Sequence, residues 1–458
     1  MYDEILDRAR TLAATYLSAA DARHVGTRVS RNGLRAILGG PFPAESTSAI
    51  TVIEGLAAAA DPGIVATVGP RYFGFVTGGV HPAALAADWL VSAWDQNPCL
   101  YVLSPAASVI EDVAASWILE ALRFPADASV GFTTGAQMAN MTGLAAARHD
   151  VLRRAGWDVE AQGLQGAPRV HVIVGAEAHS SIFASLRILG FGTGTIRRAA
   201  ADQQGRMRPD ALAHELRACD GPTIICAQAG HVGTGAFDPF LEITAAARAH
   251  GAWVHVDGAF GLWAAASSAR RHLVTGIERA DSWTTDGHKW LNVPYDCGIV
   301  ICARSDAHRA AMSQFASYFI RGGDEERNGM DWVPEASRRA RAIPVYATLC
   351  ALGRRGLEEL VERCCTLAAR MATTLSHEPG IEILNEVVLN QVLVRCGDQT
   401  AAVIARVQEE GVCWVGGTSW EGRDAMRISV SSWRTTEGDI DRSAESIVRA
   451  YRGVYAVR

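Results

Sequence analysis

The sequence predicts an α/β fold built on a mostly parallel sheet, and three observations predict it. Between residues 66 and 310, short apolar runs alternate with helical stretches, the pattern of a sheet with helices on both faces. The runs at 170–174, 223–226, 253–256 and 299–302 are short and almost uninterrupted in apolar residues, as buried strands of parallel sheets are. Polar residues follow those runs, and ligands in such sheets sit beyond the carboxyl ends of the strands.

Residues 1–65 read as an N-terminal helical segment. Ile5, Leu12 and Tyr16 give its first helix one apolar face, and a polar, Pro-containing link at 39–46 interrupts it. So small a segment has little to bury against itself, so it is expected to pack on the rest of the protein or on a second subunit. Residues 66–320 form the large domain, with helical patterns at 136–154 and 239–249 between strands. The charged, glycine-containing stretch at 321–344 is expected to be a mobile loop and linker. From 345 to 458 the order is helix, strand, helix, strand, helix, with strands at 387–394 and 427–431, a small C-terminal α+β domain.

The 458 residues are 49% hydrophobic and 20% charged, the balance of a soluble globular protein. A net charge of −6 leaves no basic footprint for nucleic acid and no polybasic membrane anchor. Apolar runs are broken well short of a membrane span. The opening MYDEILDRAR is acidic and helical, so no signal or transit peptide is expected. The ten cysteines are scattered without a C-x-x-C pair and read as small core hydrophobes in a reducing, cytoplasmic setting, with no metal site.

Chemistry concentrates in ADSWTTDGHKWLN, residues 280–292. Lysine is rarely buried unless paired or put to chemical use, and Lys289 stands between core-forming segments. It reads as the amine that forms a Schiff base with pyridoxal phosphate. Asp257 ends the strand AWVHVD, where a carboxylate can hold a proton on a pyridine nitrogen. His179, after the strand VHVIV, offers a flat imidazole to stack on an aromatic ring. In TTGAQMAN a small-residue turn opens a helix, and free N–H groups at a helix start attract phosphate. Asp286 and His288 add polar groups beside it. A bare carboxylate facing a phosphate is repulsive, so Asp286 is expected to orient a backbone or hydroxyl group.

Taken together, SPAASVIE (104–111), TTGAQMAN (133–140), EAHSS (177–181), TGAFDPF (234–240), HVDGAFG (255–261), TTDGHKW (284–290) and SRRAR (337–341) resemble the group II PLP-dependent amino-acid decarboxylases. The resemblance covers residues 5 to 455. It implies a fold-type I homodimer with active sites at the subunit interface and a mostly parallel sheet of seven strands in the large domain. It makes Lys289 the Schiff-base lysine, Asp257 the pyridinium partner, and places Ala259 and His179 on opposite faces of the ring. Gly135, Ala136, Gln137 and His288 would surround the phosphate, and Pro70, Tyr72 and Phe73 would line the substrate pocket. The implied reaction converts an L-amino acid to its amine and CO2, through an external aldimine and a quinonoid.

Two departures bear on the product. The family's loop tyrosine, which protonates the substrate carbon, has no counterpart in GMDWVPEASRR, where Trp332 stands in its place and the nearest tyrosine is Tyr318. His231 and Val232 occupy positions where the family favours threonines, and His231 reads as polar lining or as a replacement proton donor. Without such a donor the same cofactor chemistry reaches O2 and an aldehyde, which makes an aldehyde synthase or related lyase the alternative; an aminotransferase is a more distant one. Substrate identity stays open between an apolar or aromatic side chain, facing Tyr72 and Phe73, and an acidic one paired with Arg71, Arg338 or Arg341. Arg427 is noted because C-terminal-domain arginines bind α-carboxylates in fold-type I transaminases.

Overall fold

The computed structural model describes residues 2–321, 323 and 325–456. Three helices open the chain: α1 (Tyr2–Ala19), α2 (Arg31–Leu38) and α3 (Ala49–Ala60). None of them buries a residue within the chain. Helices α4 (Pro82–Trp94) and α5 (Pro105–Leu122) lead into a seven-stranded sheet.

The sheet takes β1 (Ser129–Thr133), β2 (His171–Gly175), β3 (Arg197–Ala199), β4 (Thr223–Gln228), β5 (Trp253–Asp257), β6 (Ser282–Asp286) and β7 (Gly298–Cys302), in the order β1-β7-β6-β5-β4-β2-β3. Only β7 runs against its neighbours. The crossovers carry α6 (Ala136–Arg154), α7 (Val159–Gln162), α8 (Ser180–Ile188), α9 (Pro209–Arg217) and α10 (Phe240–His250). Alternation along the strands separates two cores. Val172 and Val174 pack with Leu144, Ile182 and Leu186 beneath α6 and α8, while Ile173, Val254 and Val256 face the larger core on the other side. Burying both faces is what parallel strands require.

After β7, α11 (Ser305–Met312) precedes the stretch at 321–344, of which Gly322 and Asp324 lie outside the described residues. Its second half packs against the large domain. The Glu111 carboxylate of α5 receives Arg338 at 2.9 Å and Arg327 at 3.0 Å, with Glu111 and Arg338 buried to 1% side-chain exposure. Met330 and Val333 are fully buried. The long α12 (Ala342–Ser376), bent where Gly353 leaves helical geometry, joins the last part. There β8 (Ile381–Ile383), β9 (Gln391–Cys396), β10 (Gly416–Trp420) and β11 (Arg423–Ser429) form an antiparallel sheet. Helices α12 and α13 (Thr400–Glu410) pack on it, and α14 (Glu437–Tyr455) packs against both helices.

Candidate active site

Connections leaving the carboxyl edge of the large sheet converge on one cleft of about 120 Å³. Its polar walls are Lys289, Asp257, His179, Gln228 and Arg427, and Phe75, Val76, Val232 and Phe260 supply its apolar walls. Lys289 follows β6, Asp257 ends β5 and His179 follows β2. Residues far apart in the chain therefore meet because parallel strands end at one edge.

Lys289 Nζ lies 2.8 Å from Asp286 Oδ2. Burial disfavours its charge, but the Asp286 carboxylate outweighs that and holds the ammonium above its usual range. The other oxygen of Asp286 accepts the Ala136 N–H at 2.6 Å, so this carboxylate holds a backbone group at the start of α6. Gly135 precedes it in an extended conformation, and its need is for space. A Cβ there would sit 3.2 Å from His288 Cε1 and 3.7 Å from Asp286 Oδ1. His288 Nδ1 accepts the Cys297 N–H at 3.0 Å, which leaves the proton of the neutral ring on Nε2. Burial pushes its pKa down. The ring stacks on Tyr295, with centroids 4.3 Å apart.

Asp257 is 4% exposed. Its Oδ2 accepts from Asn140 Nδ2 at 3.1 Å and Ser181 Oγ at 3.4 Å, and its Oδ1 accepts from Ala259 N at 3.2 Å. All three donors are neutral. A buried carboxylate held this way is set to receive a cationic N–H group. His179 caps α8, its Nδ1 accepting the Ser181 N–H at 3.2 Å. Burial lowers its pKa, so the ring facing the cleft is neutral.

Other expected residues lie elsewhere. Phe73, expected to line the pocket, is 1% exposed within the main core. Tyr72 is buried and stacked on Trp414 at 5.0 Å, and burial lifts its hydroxyl pKa to about 12. The cleft is lined instead by Phe75 and Val76, whose φ angles of 51° and 59° turn the chain inward. Such angles are strained for a β-branched residue. Pro70 is buried and accepts a hydrogen bond from Thr435. Gln137 is exposed in the first turn of α6, its carbonyl accepting from Ser185 Oγ. His231 sits behind the wall formed by Gly230 and Val232, with Nδ1 accepting the Gly233 and Thr234 N–H groups. Burial lowers its pKa to about 4. Trp332 packs edge-on against His308 and under Arg327, away from the cleft of its own chain.

The arginines sort in the same way. Arg71 is buried against Asp439 at 2.9 Å, Arg338 is held by Glu111, and Arg341 lies 2.8 Å from Asp296. Arg427 alone of these lines the cleft, and among the described residues its Nε has no hydrogen-bond partner. Asn140, Ser181, Phe75 and Val76 were not singled out from the sequence. The available signal was weak: an asparagine one turn inside an apolar helix and a serine beside the expected histidine.

These residues fit pyridoxal phosphate. A lysine stands at the cleft floor, a carboxylate without a cation faces it, and glycine-made space lies at a helix start beside a neutral N–H donor. Sheet order and cleft together define a fold-type I PLP enzyme. Residues 33–396 match the pyridoxal-dependent decarboxylase conserved domain, and the chain belongs to that family, with pyridoxal phosphate as its cofactor. Its similarity to L-2,4-diaminobutyrate decarboxylase of Rhizobium meliloti (strain 1021) is 32% identity over 384 residues, 80% of this chain and 74% of the relative. To the acidic amino acid decarboxylase GADL1 of Bos taurus it is 29% over 330 residues, 70% of this chain. The match spans 62% of that relative's length. The crystal structure of Oryza sativa TDC with PLP and tryptamine superposes with a TM-score of 0.92 at 23% identity, covering 98% of this chain and 97% of that one.

Proposed function

We propose that this protein is an amino-acid decarboxylase that releases CO2 and the corresponding amine. The convergence of Lys289, Asp257 and His179 on one cleft carries this reading. Bound there, pyridoxal phosphate supplies an aldehyde that captures an amino group and a protonated ring that draws off the electron pair released at the α-carbon. Lys289 contributes the resident amine. Asp257 would hold a proton on the ring nitrogen, and the flat, neutral His179 and the small Ala259 would flank the ring. The space at Gly135 before α6, with His288 Nε2–H, would hold the phosphate, while Asp286 ties down the Ala136 N–H.

Arg427 favours an acidic side chain as the substrate. A guanidinium clamped on the departing carboxylate would stabilise the ground state and slow the reaction, so its productive partner is a second, retained anionic group. Phe75 and Val76 pack on the intervening carbons.

The active unit is a homodimer with its sites at the interface. Phe42 (97% exposed), Trp89, Trp94 and Leu103 present apolar surface that a partner would cover, and α1 to α3 bury nothing within one chain. Nine buried cysteines, unpaired among the described residues, fit a cytoplasmic setting.

One observation favours a second reading, the aldehyde synthase. Trp332 is tied to His308 and Arg327, and among the described residues no tyrosine lines the cleft of its own chain. The decisive experiment incubates PLP-loaded dimer, its mass read by light scattering, with an amino-acid panel and assays CO2, amine, aldehyde and peroxide. Amine without peroxide is expected, with the cofactor's visible band and all turnover absent in Lys289→Ala. Aldehyde with peroxide would establish the second reading, and a wild type that binds no PLP would end both.

A further inference from the structure

A buried chain of hydrogen bonds runs through the sheet and ends on Asp257. Trp253 Nε1 is 2.9 Å from Ser282 Oγ, and Ser282 Oγ is 2.8 Å from His255 Nδ1. His255 Nε2 is 2.9 Å from Asn140 Oδ1, and Asn140 Nδ2 is 3.1 Å from Asp257 Oδ2. His255, Asn140 and Ser282 are fully buried and Trp253 is 1% exposed.

The direction of every link is forced. An indole nitrogen only donates and an ionised carboxylate only accepts, so Ser282 accepts from Trp253 at one end, and at the other Asn140 turns its NH2 group to Asp257 and its carbonyl oxygen to His255. The imidazole proton must then sit on Nε2, where it meets the Asn140 carbonyl oxygen. His255 Nδ1 is left as an acceptor, and the Ser282 hydroxyl donates to it. A ring with both nitrogens engaged in this way is neutral, and burial holds its pKa at about 4. The whole chain therefore delivers a donor to Asp257 and has no acceptor to offer a protonated acid.

We infer that His255 is a positioning residue that, through Asn140, holds Asp257 ionised and oriented toward the cofactor's ring nitrogen, with Trp253 anchoring Ser282 at the far end of the strand. This rests on Asp257 as the partner of that nitrogen. Two neighbouring strands and α6 share the work: Trp253 and His255 lie on β5, Ser282 pairs with His255 across β6, and Asn140 lies one turn into α6. Gly143 leaves the room the imidazole needs, since a Cβ there would come within 2.8 Å of His255 Cε1. The charged groups on the open side of Asp257 are Lys289, Asp286 and Arg427, with His179 beside them; none of them is part of the chain.

The test replaces His255 with Phe, which keeps the ring and removes both links, and with Gln, whose amide can accept from Ser282 and donate to Asn140. Three quantities are read on purified holoenzyme: the PLP dissociation constant, the pH midpoint of the cofactor's visible band, and the far-UV circular dichroism. His255→Phe is expected to weaken PLP binding about tenfold, the scale of losing one hydrogen bond to a charged group, and to move the band's midpoint, while His255→Gln restores both. Trp253→Phe, distant from the cofactor, is expected to move both readouts the same way by about twofold to threefold. A folded His255→Phe with wild-type affinity and midpoint would overturn the inference. Should that variant not fold, unchanged readouts in Trp253→Phe would do so. Failure of the wild type to bind PLP would instead fault the assignment of the site itself.

Discussion

Arg427 is the side chain whose surroundings bear most on substrate choice. Three other arginines that could have met an acidic substrate are held by Asp439, Glu111 and Asp296. Replacing Arg427 with methionine keeps much of the stem and removes the cleft's guanidinium. For an acidic amino acid, KM is expected to rise by about tenfold to a hundredfold with a smaller change in kcat, as loss of a charge-assisted contact to a bound group does. Steady-state kinetics on acidic and neutral substrates separate the outcomes, because equal losses on both would assign Arg427 to site integrity. Lys289, Asp257 and His179 were legible from the sequence, since each follows or ends a strand and carries an unusual group for that place. Phe75 and Val76 were not, because a left-handed turn directs them inward while Tyr72 and Phe73 go to Trp414 and the core.

Among the elements, α5 and the segment after residue 326 depend on one carboxylate. Burial works against the charge of Glu111, but Arg338 and Arg327 outweigh it and hold its pKa below the usual range. Glu111→Gln keeps the shape and strands the buried guanidinium of Arg338, while Arg327 retains Asp112 at 3.4 Å. Removing one partner of a buried ion pair costs about 3–5 kcal/mol. The urea midpoint should fall accordingly, and 327–341 should become sensitive to limited proteolysis; a wild-type midpoint would mean that water relaxes the site. Apolar strands were readable in place: β2, β4, β5 and β7 begin or end within two residues of their expected bounds. Strands β1 and β6 were not, because SVGFT and SWTTD bury Ser129, Thr133, Ser282, Thr284 and Thr285 and carry no apolar run. In the last part, the strand expected at 387–394 lies at Gln391–Cys396. Asn385 and Asn390 tie the preceding loop through side-chain hydrogen bonds.

For the whole molecule, buried imidazoles set the response to acid. His231, His255 and His308 are each held at about 4 by burial, against about 6.5 when unfolded. Between pH 6.5 and 4 the unfolded chain binds these protons and the native one does not, so stability falls as pH falls through that window. Each contributes about 1.4 kcal/mol per pH unit. Asp238, raised to about 6 by burial, binds its proton first in the native state and offsets roughly one of the three. Urea midpoints should therefore drop steadily from pH 7 to pH 5. A flat profile would mean that these rings are hydrated.

The sequence by itself determined the cofactor, the strand-helix alternation and the lysine, carboxylate and imidazole that meet in the cleft. Those depend on local patterns, on which residue types follow a strand and at what spacing. Only the tertiary structure decided which arginine reaches the cleft, which aromatics wall it and what stands behind Asp257. Those answers depend on pairing across β5, β6 and α6 and on contacts between large and small domains. Such contacts join residues from 27 to more than a hundred positions apart or turn on one dihedral angle, and neither leaves a local trace in the chain.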